Sequence, residues 1–119
     1  MPDATSADGT AGGAIQALQE DGLAGKVLVT GQDADLAACQ RILRGTQAMT
    51  VYKPLKNLAA LAARVAVDVA QGRKPTAGST LDNGLKPVPS IFERIVAVDK
   101  ENLMTTVVAD GFHPAGALR

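Results

Sequence analysis

The sequence predicts an α/β fold built on a partial doubly wound parallel sheet. Segments with helical periodicity alternate with apolar runs of strand length, and glycines follow several of the helical segments. The run "KVLVT" is apolar without alternation, as in strands that helices cover on both faces. Because one helical segment separates this run from the next, a right-handed crossover is expected to make the two strands parallel neighbours.

The first helix is predicted within "DGTAGGAIQALQEDG". Asp8 or Thr10 can serve as its N-cap, and Gly22 marks its end. The Gly12-Gly13 pair lowers helix propensity in the first turn. The same pair allows this end of the helix to approach a neighbouring element closely.

Two strands flank the second helix. The first covers residues 26–30 and is expected to be buried on both faces, and the second covers residues 47–53 and is rich in β-branched side chains. The helix between them is expected from about residue 34 to residue 44, with Gly45 closing it. Its apolar face is predicted to carry Leu36, Cys39 and Leu43.

The third helix is expected over residues 55–71, after Pro54 and before Gly72. Leucines and valines mark one stripe of this helix, and alanines fill most of the side that usually faces water. A helix that is apolar on more than one side is expected to be covered on more than one side. The pattern therefore indicates a partner surface, or a covering element that is missing.

The remainder of the chain is expected to be loop-rich over residues 73–90, with a turn at Asn83-Gly84. Residues 91–99 are predicted to form a strand. The stretch "TTVVADGF" is predicted to be a short strand or a short helix that finishes at Gly111.

Composition and charge exclude several classes of function. Lysine and arginine number 12 and aspartate and glutamate also number 12, so no electrostatic footprint for nucleic acid or an anionic membrane is visible. A single cysteine, Cys39, excludes an internal disulfide and a multi-cysteine zinc site, and it is expected to be a small buried hydrophobe. A single histidine, His113, leaves almost nothing for a catalytic triad. The chain is therefore predicted not to be an enzyme and to use no cofactor or metal.

Two oppositely charged side chains are expected at the carboxyl-terminal edge of the sheet. Asp33 follows the first strand and Lys53 ends the second, and open α/β sheets bind their ligands outside this edge. An accepting carboxylate and a donating ammonium together suit a polyol. Asp33 could equally cap the following helix, and Lys53 could be an ordinary exposed lysine. Asp35 is expected to cap that helix or to be solvated, and the Asp33/Asp35 pair lacks a third ligand for a metal.

Three stretches of the sequence resemble a known family. They are "GTAGGAIQAL", "GLAGKVLVTGQDADLAACQRILRGTQAMTVYKP" and "NGLKPVPSIFERIVAVDKENL…VVADGFH". From about Ser6 onward the chain resembles the C-terminal part of the xylose receptors of ABC importers, within the type I periplasmic sugar-binding-protein family. The resemblance implies part of a two-lobed α/β fold in which sugar binds in the cleft and the lobes close by a hinge.

The resemblance also implies roles for individual residues. By it, Asp33 hydrogen-bonds sugar hydroxyls and Lys53 contacts the same ligand, a D-xylose-like pentose. Just before Asp8, where the family has a sugar-binding asparagine, this chain has Ala7, whose methyl group makes no hydrogen bond. A periplasmic location and a membrane permease as partner are implied as well, although "MPDATSADGTAGG" does not read as a secretory signal.

The resemblance further divides the chain. Residues 1–54 correspond to part of the C-terminal sugar-binding lobe, 55–90 to a helix and connection that belong to the other lobe, and 91–119 to the return crossing and C-terminal segment. The N-terminal lobe and the first half of the C-terminal lobe have no counterpart. A truncated receptor is therefore expected, which binds sugar weakly or not at all alone and has the missing lobe or a second copy as partner.

Two other classes of function stay open. The Ala-rich third helix could make the chain an interaction or regulatory module that pairs through that helix. A signalling receiver domain has a similar length and fold class. In a receiver domain, however, the acidic pair, the phosphoacceptor aspartate and the lysine follow an order along the chain that this sequence does not have. This alternative is therefore the weaker of the two.

Overall fold

A computed structural model describes residues 3–4 and 7–119 of the chain; Ser6, where the resemblance begins, lies outside the described residues. A π-helical turn and a short 3-10 turn follow the last strand. The helices and strands, in chain order, are β1 (Asp3–Ala4), α1 (Asp8–Glu20), β2 (Val29–Thr30), α2 (Leu36–Arg44), β3 (Thr50–Tyr52), α3 (Leu55–Ala70), β4 (Ser79–Asp82), β5 (Pro87–Ser90) and β6 (Val96–Val98).

The strands around β2 and β3 are parallel neighbours, as the crossover argument predicts. The Gly31 N–H donates to the Met49 carbonyl at 3.1 Å, and the Val51 N–H donates to the Gly31 carbonyl at 3.1 Å. β1 pairs with β2 in parallel, whereas β6 pairs with β3 antiparallel, with Ala97 opposite Val51. The α/β fold class is confirmed, and its last strand reverses direction.

The chain divides into two compact units, Met1–Lys53 with Ile95–Arg119, and Pro54–Arg94. In the first unit, α1 packs on β2 through a small cluster around Ile15 and Val29. A larger cluster joins α2 and β3 to β6 and the C-terminal segment. Its buried members are Ala34, Cys39, Ile42, Tyr52, Val98, Leu103, Val107 and Leu118.

α1 begins at Asp8, with Ala7 in the N-cap position, so the prediction of Asp8 or Thr10 as the N-cap was wrong. The Asp8 carboxylate is buried and is bonded to residues of the neighbouring strand and loop, which leaves it unable to cap its own helix. The Asp8 N–H donates to the Gln32 carbonyl at 3.0 Å, which ties the helix start to the loop after β2. Gly22, with φ of 68°, follows the helix end as predicted.

α2 begins at Leu36, later than the predicted start near residue 34. The delay arises because Asp33 and Ala34 adopt left-handed φ angles of 99° and 54°, which no helix can include. Gly45 ends the helix with φ of 82°, as predicted. Of the predicted apolar face, Cys39 is buried and Leu43 packs against the core, whereas Leu36 is 36% exposed, and Ala38 and Ile42 complete the buried side.

The predicted strands are shorter than the apolar runs that predicted them, since β2, β3 and β6 keep only two or three residues each. The expected burial of the first strand on both faces was also wrong. Val29 is 1% exposed, but Leu28 beside it is 59% exposed. In the described chain, only one face of this strand is covered.

The C-terminal stretch "TTVVADGF" is helical, which decides between the two alternatives for it. Met104–Val108 forms a π-helical turn, in which the Val108 N–H donates to the Leu103 carbonyl at 3.3 Å. Gly111, with φ of 71°, follows this segment as predicted.

The second unit consists of α3 and a β-hairpin. No residue of α3 is buried, which confirms that this chain leaves the helix exposed. β4 and β5 pair antiparallel inside the segment predicted to be loop-rich, and the turn at Asn83-Gly84 is present, with a φ of 83° at Gly84. Among the described residues, no helix has both the length and the hydropathy needed to cross a bilayer.

An apolar groove of about 500 Å³ lies within this second unit. Its walls are formed by one side of α3 and by residues of the connection and the hairpin. They are Leu58, Leu61, Ala62, Val65, Pro75, Ala77, Pro89 and Ile91.

Candidate functional site

The carboxyl-terminal ends of β2 and β3 lie side by side in the first unit. The Asp33 N–H donates to the Val51 carbonyl at 2.9 Å, so the loop after β2 stays bonded to β3 as it leaves the sheet. Lys53 follows the last residue of β3. Asp33 and Lys53 therefore lie at the edge where open α/β sheets bind their ligands.

Asp33 and Lys53 form an ion pair at this edge, with Lys53 Nζ 2.7 Å from Asp33 Oδ1. Their side chains are 46% and 37% exposed, so water screens both charges and the pair adds at most about 1 kcal/mol to stability. The predicted proximity is confirmed, and a role in ligand binding stays a prediction. Chemically, the pair offers carboxylate acceptors and ammonium donors to a hydroxylated molecule.

Asp35 occupies the N-cap position of α2, but its carboxylate makes no capping hydrogen bond. The side chain is exposed, so of the two expected roles the structure shows solvation. Its backbone N–H, in contrast, is fixed, because it donates to Asp8 Oδ2 at 2.9 Å. Of the two carboxylates in "GQDAD", the one that pairs with Lys53 is Asp33.

The loop that carries Asp33 has an unusual backbone conformation. Both Asp33 and Ala34 have positive φ angles, which cost a residue with a Cβ about 1–2 kcal/mol each. Hydrogen bonds offset this cost. The Ala34 N–H donates to Thr50 Oγ1 at 3.1 Å, and the next N–H along the chain donates to Asp8.

Asp8 is the buried acceptor on which these bonds converge; its relative exposure is 1%. Its carboxylate accepts from Gln47 Nε2 at 2.8 Å, from Thr50 Oγ1 at 2.9 Å and from the Asp35 N–H. Arg41 adds a second layer, donating to the Asp8 carbonyl at 2.8 Å and to Gln47 Oε1 at 3.0 Å. Within the described residues no buried side-chain nitrogen or oxygen lacks a partner, so this charge is buried without an unsatisfied group.

Two glycines make room for this network. A Cβ on Gly31 would overlap Asp8 Oδ1 and lie 2.9 Å from Gln47 Nε2. A Cβ on Gly12 would lie 3.1 Å from Arg41 Nη1, which confirms the close approach predicted for this end of α1. The sequence analysis missed the network itself. The one available signal was a glycine directly after a strand, which often marks a close approach of another group.

Cys39 and His113 lie behind the same loop. Cys39 is fully buried, and its Sγ lies 3.6 Å from the Ala34 carbonyl oxygen. Burial, reinforced by the nearby Asp8 and Asp35 carboxylates, raises the pKa of the Cys39 thiol to about 11. The prediction of a buried hydrophobe is therefore confirmed. His113 Nε2 lies 2.7 Å from the same carbonyl oxygen.

An edge of parallel strands that carries an exposed pair of opposite charges is suited to holding a polar ligand. The chain is similar to proteins of that class. Residues 4–74 match the family model described as "Periplasmic binding protein domain". The match covers more than half of the chain, which therefore belongs to the periplasmic-binding-protein family.

Individual relatives extend the likeness over nearly the whole chain. It is 55% identical over 113 residues to the D-xylose-binding periplasmic protein of Escherichia coli (strain K12), covering 95% of this chain and 34% of that protein. It is 56% identical over 108 residues to the protein of the same name from Haemophilus influenzae, covering 91% of this chain and 32% of that protein. The chain thus spans about a third of the length of the curated relatives it matches.

A solved structure gives the same result for the fold. The crystal structure of a carbohydrate transporter solute-binding protein from Chloroflexus aurantiacus, in complex with D-glucose, matches with a TM-score of 0.85 at 35% identity. The match covers 96% of this chain and 34% of that protein. The resemblance to xylose receptors is confirmed, and these relatives are binding proteins, in agreement with the prediction that the chain is not an enzyme. They lend no support to a receiver domain or an interaction module.

Proposed function

We propose that this chain forms one side of the sugar-binding site of a D-xylose receptor that serves an ABC importer. The observation that carries the proposal is the ion pair of Lys53 Nζ and Asp33 Oδ1, 2.7 Å apart at the ends of neighbouring strands. The likeness to two proteins named for D-xylose binding, at 55% and 56% identity, supports a pentose as the ligand.

The ion pair suits a sugar because each hydroxyl is both a donor and an acceptor. Asp33 can accept from adjacent hydroxyls, and the Lys53 ammonium can donate to a hydroxyl oxygen. Such charge-assisted bonds are about twice as strong as neutral ones. Because the pair is solvent-screened, exchanging part of its contact for sugar hydroxyls costs little.

The chain alone is expected to bind sugar only weakly. Aromatic residues make up 3% of the sequence, so this side of the site offers little flat surface for a sugar ring. A site that encloses most of its ligand needs a second wall. The rest of the receptor, which accounts for about two thirds of the relatives' length, supplies that wall.

The same portion of the receptor is proposed to cover α3. The helix has no buried residue and lines an apolar groove of about 500 Å³, a surface that water solvates poorly. We assign residues 1–54 and 91–119 to the sugar-binding lobe and the return crossing, and residues 55–90 to the other lobe. The division of the chain near residues 53 and 95 into two compact units supports this assignment. The complete receptor is proposed to work in the periplasm, beside a membrane permease.

The sugar site is tested by titrating the isotope-labelled chain with D-xylose and following its backbone amide shifts by NMR. Small shifts confined to the loops around Asp33 and Lys53 are expected, with saturation only at millimolar sugar. Asp33→Asn should raise the sugar concentration needed for these shifts about tenfold, and Asp35→Asn is the matched control, because its carboxylate is exposed and unpaired with Lys53. No shifts at these loops, or equal loss in both variants, contradicts the assignment. Tight binding by the isolated monomer contradicts the need for a second wall.

The covering of α3 is tested separately by size-exclusion chromatography with light scattering. The chain alone is expected to associate without a defined stoichiometry, and addition of the remaining part of a xylose receptor should give a discrete complex. Leu58→Ser in the groove should weaken that complex, with Lys56→Ser, on the same exposed helix, as the control. A discrete dimer of the chain alone would favour the interaction module instead.

A further inference from the structure

We propose that Asp8 and Thr50 are positioning residues that fix the direction of the Asp33 carboxylate at the sugar site. This inference rests on the proposed function. Asp8 is 1% exposed and Thr50 is 0% exposed, so neither reaches a ligand, and both act through the loop that follows β2.

The two side chains hold the pair of amides that directly follow Asp33. The Ala34 N–H donates to Thr50 Oγ1 at 3.1 Å, and the Thr50 hydroxyl in turn donates to Asp8 Oδ2 at 2.9 Å. The Asp35 N–H donates to the same carboxylate at 2.9 Å. Side-chain oxygens thus accept the backbone N–H hydrogen bonds that backbone carbonyls accept in a strand or helix. Consequently, the loop's conformation depends on these two residues.

The loop needs such support because its backbone is unfavourable. The φ angles of 99° at Asp33 and 54° at Ala34 lie in the region that side chains with a Cβ avoid. Without acceptors for the two amides, the loop is expected to relax to negative φ. A change of φ at Asp33 turns its Cα–Cβ bond, which moves the carboxylate away from Lys53, now 2.7 Å distant.

Thr50 offers the sharpest test, since each of its two variants differs from threonine at one heavy atom. Thr50→Val keeps the shape but removes the hydroxyl, whereas Thr50→Ser keeps the hydroxyl. In the 119-residue chain, positive φ at Asp33 and Ala34 gives strong intraresidue NOEs between HN and Hα. In Thr50→Val we expect these NOEs to be lost and D-xylose binding to weaken about tenfold. In Thr50→Ser both the NOEs and the binding should be retained. A folded Thr50→Val variant with unchanged NOEs and affinity overturns the proposal.

Asp8 provides an independent arm. Asp8→Asn must direct an amide N–H at one of the donors that now face the carboxylate, so it should reproduce the Thr50→Val result. Asp21→Asn, an exposed carboxylate just beyond the end of α1, controls for the change in charge. If Asp8→Asn does not fold, the Thr50 pair decides.

A double-mutant cycle separates positioning from general destabilisation. If Thr50 acts only by orienting Asp33, then Thr50→Val should cause no further loss of xylose affinity once Asp33→Asn is present. Full additivity of the two losses overturns the positioning role. Failure of the wild-type chain to show any xylose shifts contradicts the proposed function, and the NOE comparison still decides whether Thr50 holds the turn.

Discussion

Replacing Gly31 with alanine is the substitution to which the first unit should be most sensitive. The new Cβ would overlap Asp8 Oδ1 and lie 3.2 Å from Asp8 Cγ and 2.9 Å from Gln47 Nε2. Asp8 Oδ1 and Gln47 Nε2 end their side chains, but burial and hydrogen bonds prevent them from moving aside freely. Asp8 is buried with hydrogen bonds on both carboxylate oxygens, and Gln47 is 2% exposed. The clash can be relieved only by moving the network or the strand end.

The expected loss of stability follows from the contacts that Gly31→Ala would break. Moving the carboxylate away from Gly31 sacrifices its 2.8 Å bond with Gln47, and a hydrogen bond to a buried charge is worth about 1.5–3 kcal/mol. Overpacking a filled interior costs a further 1–3 kcal/mol or so. We therefore expect Gly31→Ala to lower the free energy of unfolding by about 4 kcal/mol, a large fraction of the stability of a small domain.

Urea unfolding followed by far-ultraviolet circular dichroism measures this loss. With a slope of about 2 kcal/mol per molar urea, the midpoint should fall by about 2 M. Gly13→Ala is the matched control, because a Cβ there meets nothing within 4 Å and alanine favours the helix, so its midpoint should stay or rise. Equal midpoints for the two variants would refute the role of Gly31. In an Asp8→Ala background, Gly31→Ala should cost much less, since the overlapping oxygen is gone.

Four further predictions concern the site and its surroundings. Asp33→Asn and Lys53→Met should change the free energy of unfolding by less than about 1 kcal/mol while weakening D-xylose binding about tenfold, and a much larger change in urea unfolding would show that the pair is structural. At about pH 8, Cys39 should react with iodoacetamide about a hundredfold more slowly in the folded chain than in the unfolded chain, because folding raises its pKa from 9.0 to about 11. Equal rates would contradict its burial. Since the folded pKa lies above the unfolded one, stability should fall as pH rises from 9.0 to about 11, and Cys39→Ala should flatten that fall. Ala7→Asn should tighten D-xylose binding about tenfold in the NMR titration, and unchanged affinity would show that position 7 does not reach the sugar.

The features that the sequence could predict depend on local signals or on topology. Gly45 ends α2 with φ of 82° because only glycine adopts this conformation without strain. The proximity of Asp33 and Lys53 needed no side-chain information, since a single crossover helix makes the two strands neighbours. The exposed α3 likewise follows from alanines on what would be its wet side.

The buried network could not be predicted in the same way. Asp8 lies 39 residues from Gln47 and 42 from Thr50, and nothing local distinguishes it from an N-cap aspartate. The late start of α2 has the same origin, because the bonds from Ala34 and Asp35 to Thr50 and Asp8 hold the chain outside the helix.

Two other differences depend on the position of a strand in its sheet. Leu28 is exposed because only one face of its strand is covered, and the apolar run of the strand does not show which face that is. In the hairpin, Pro87 and Pro89 argue against a strand, because proline donates no ladder hydrogen bond. β5 nevertheless forms, since a two-stranded hairpin leaves it at an edge where alternate N–H groups need no partner.

In the proposed sugar site, the two aspartates divide binding and orientation between them. Asp33 lies in a solvent-screened ion pair, which can exchange its partner for a sugar hydroxyl at little cost. Asp8 is buried with its hydrogen bonds satisfied, so its contacts are already in place without a ligand. The cost of holding Asp33 at φ of 99° is therefore met when the chain folds. Because that orientation is already set, a sugar that binds as we propose does not have to order the loop, and more of its interaction energy would appear as affinity.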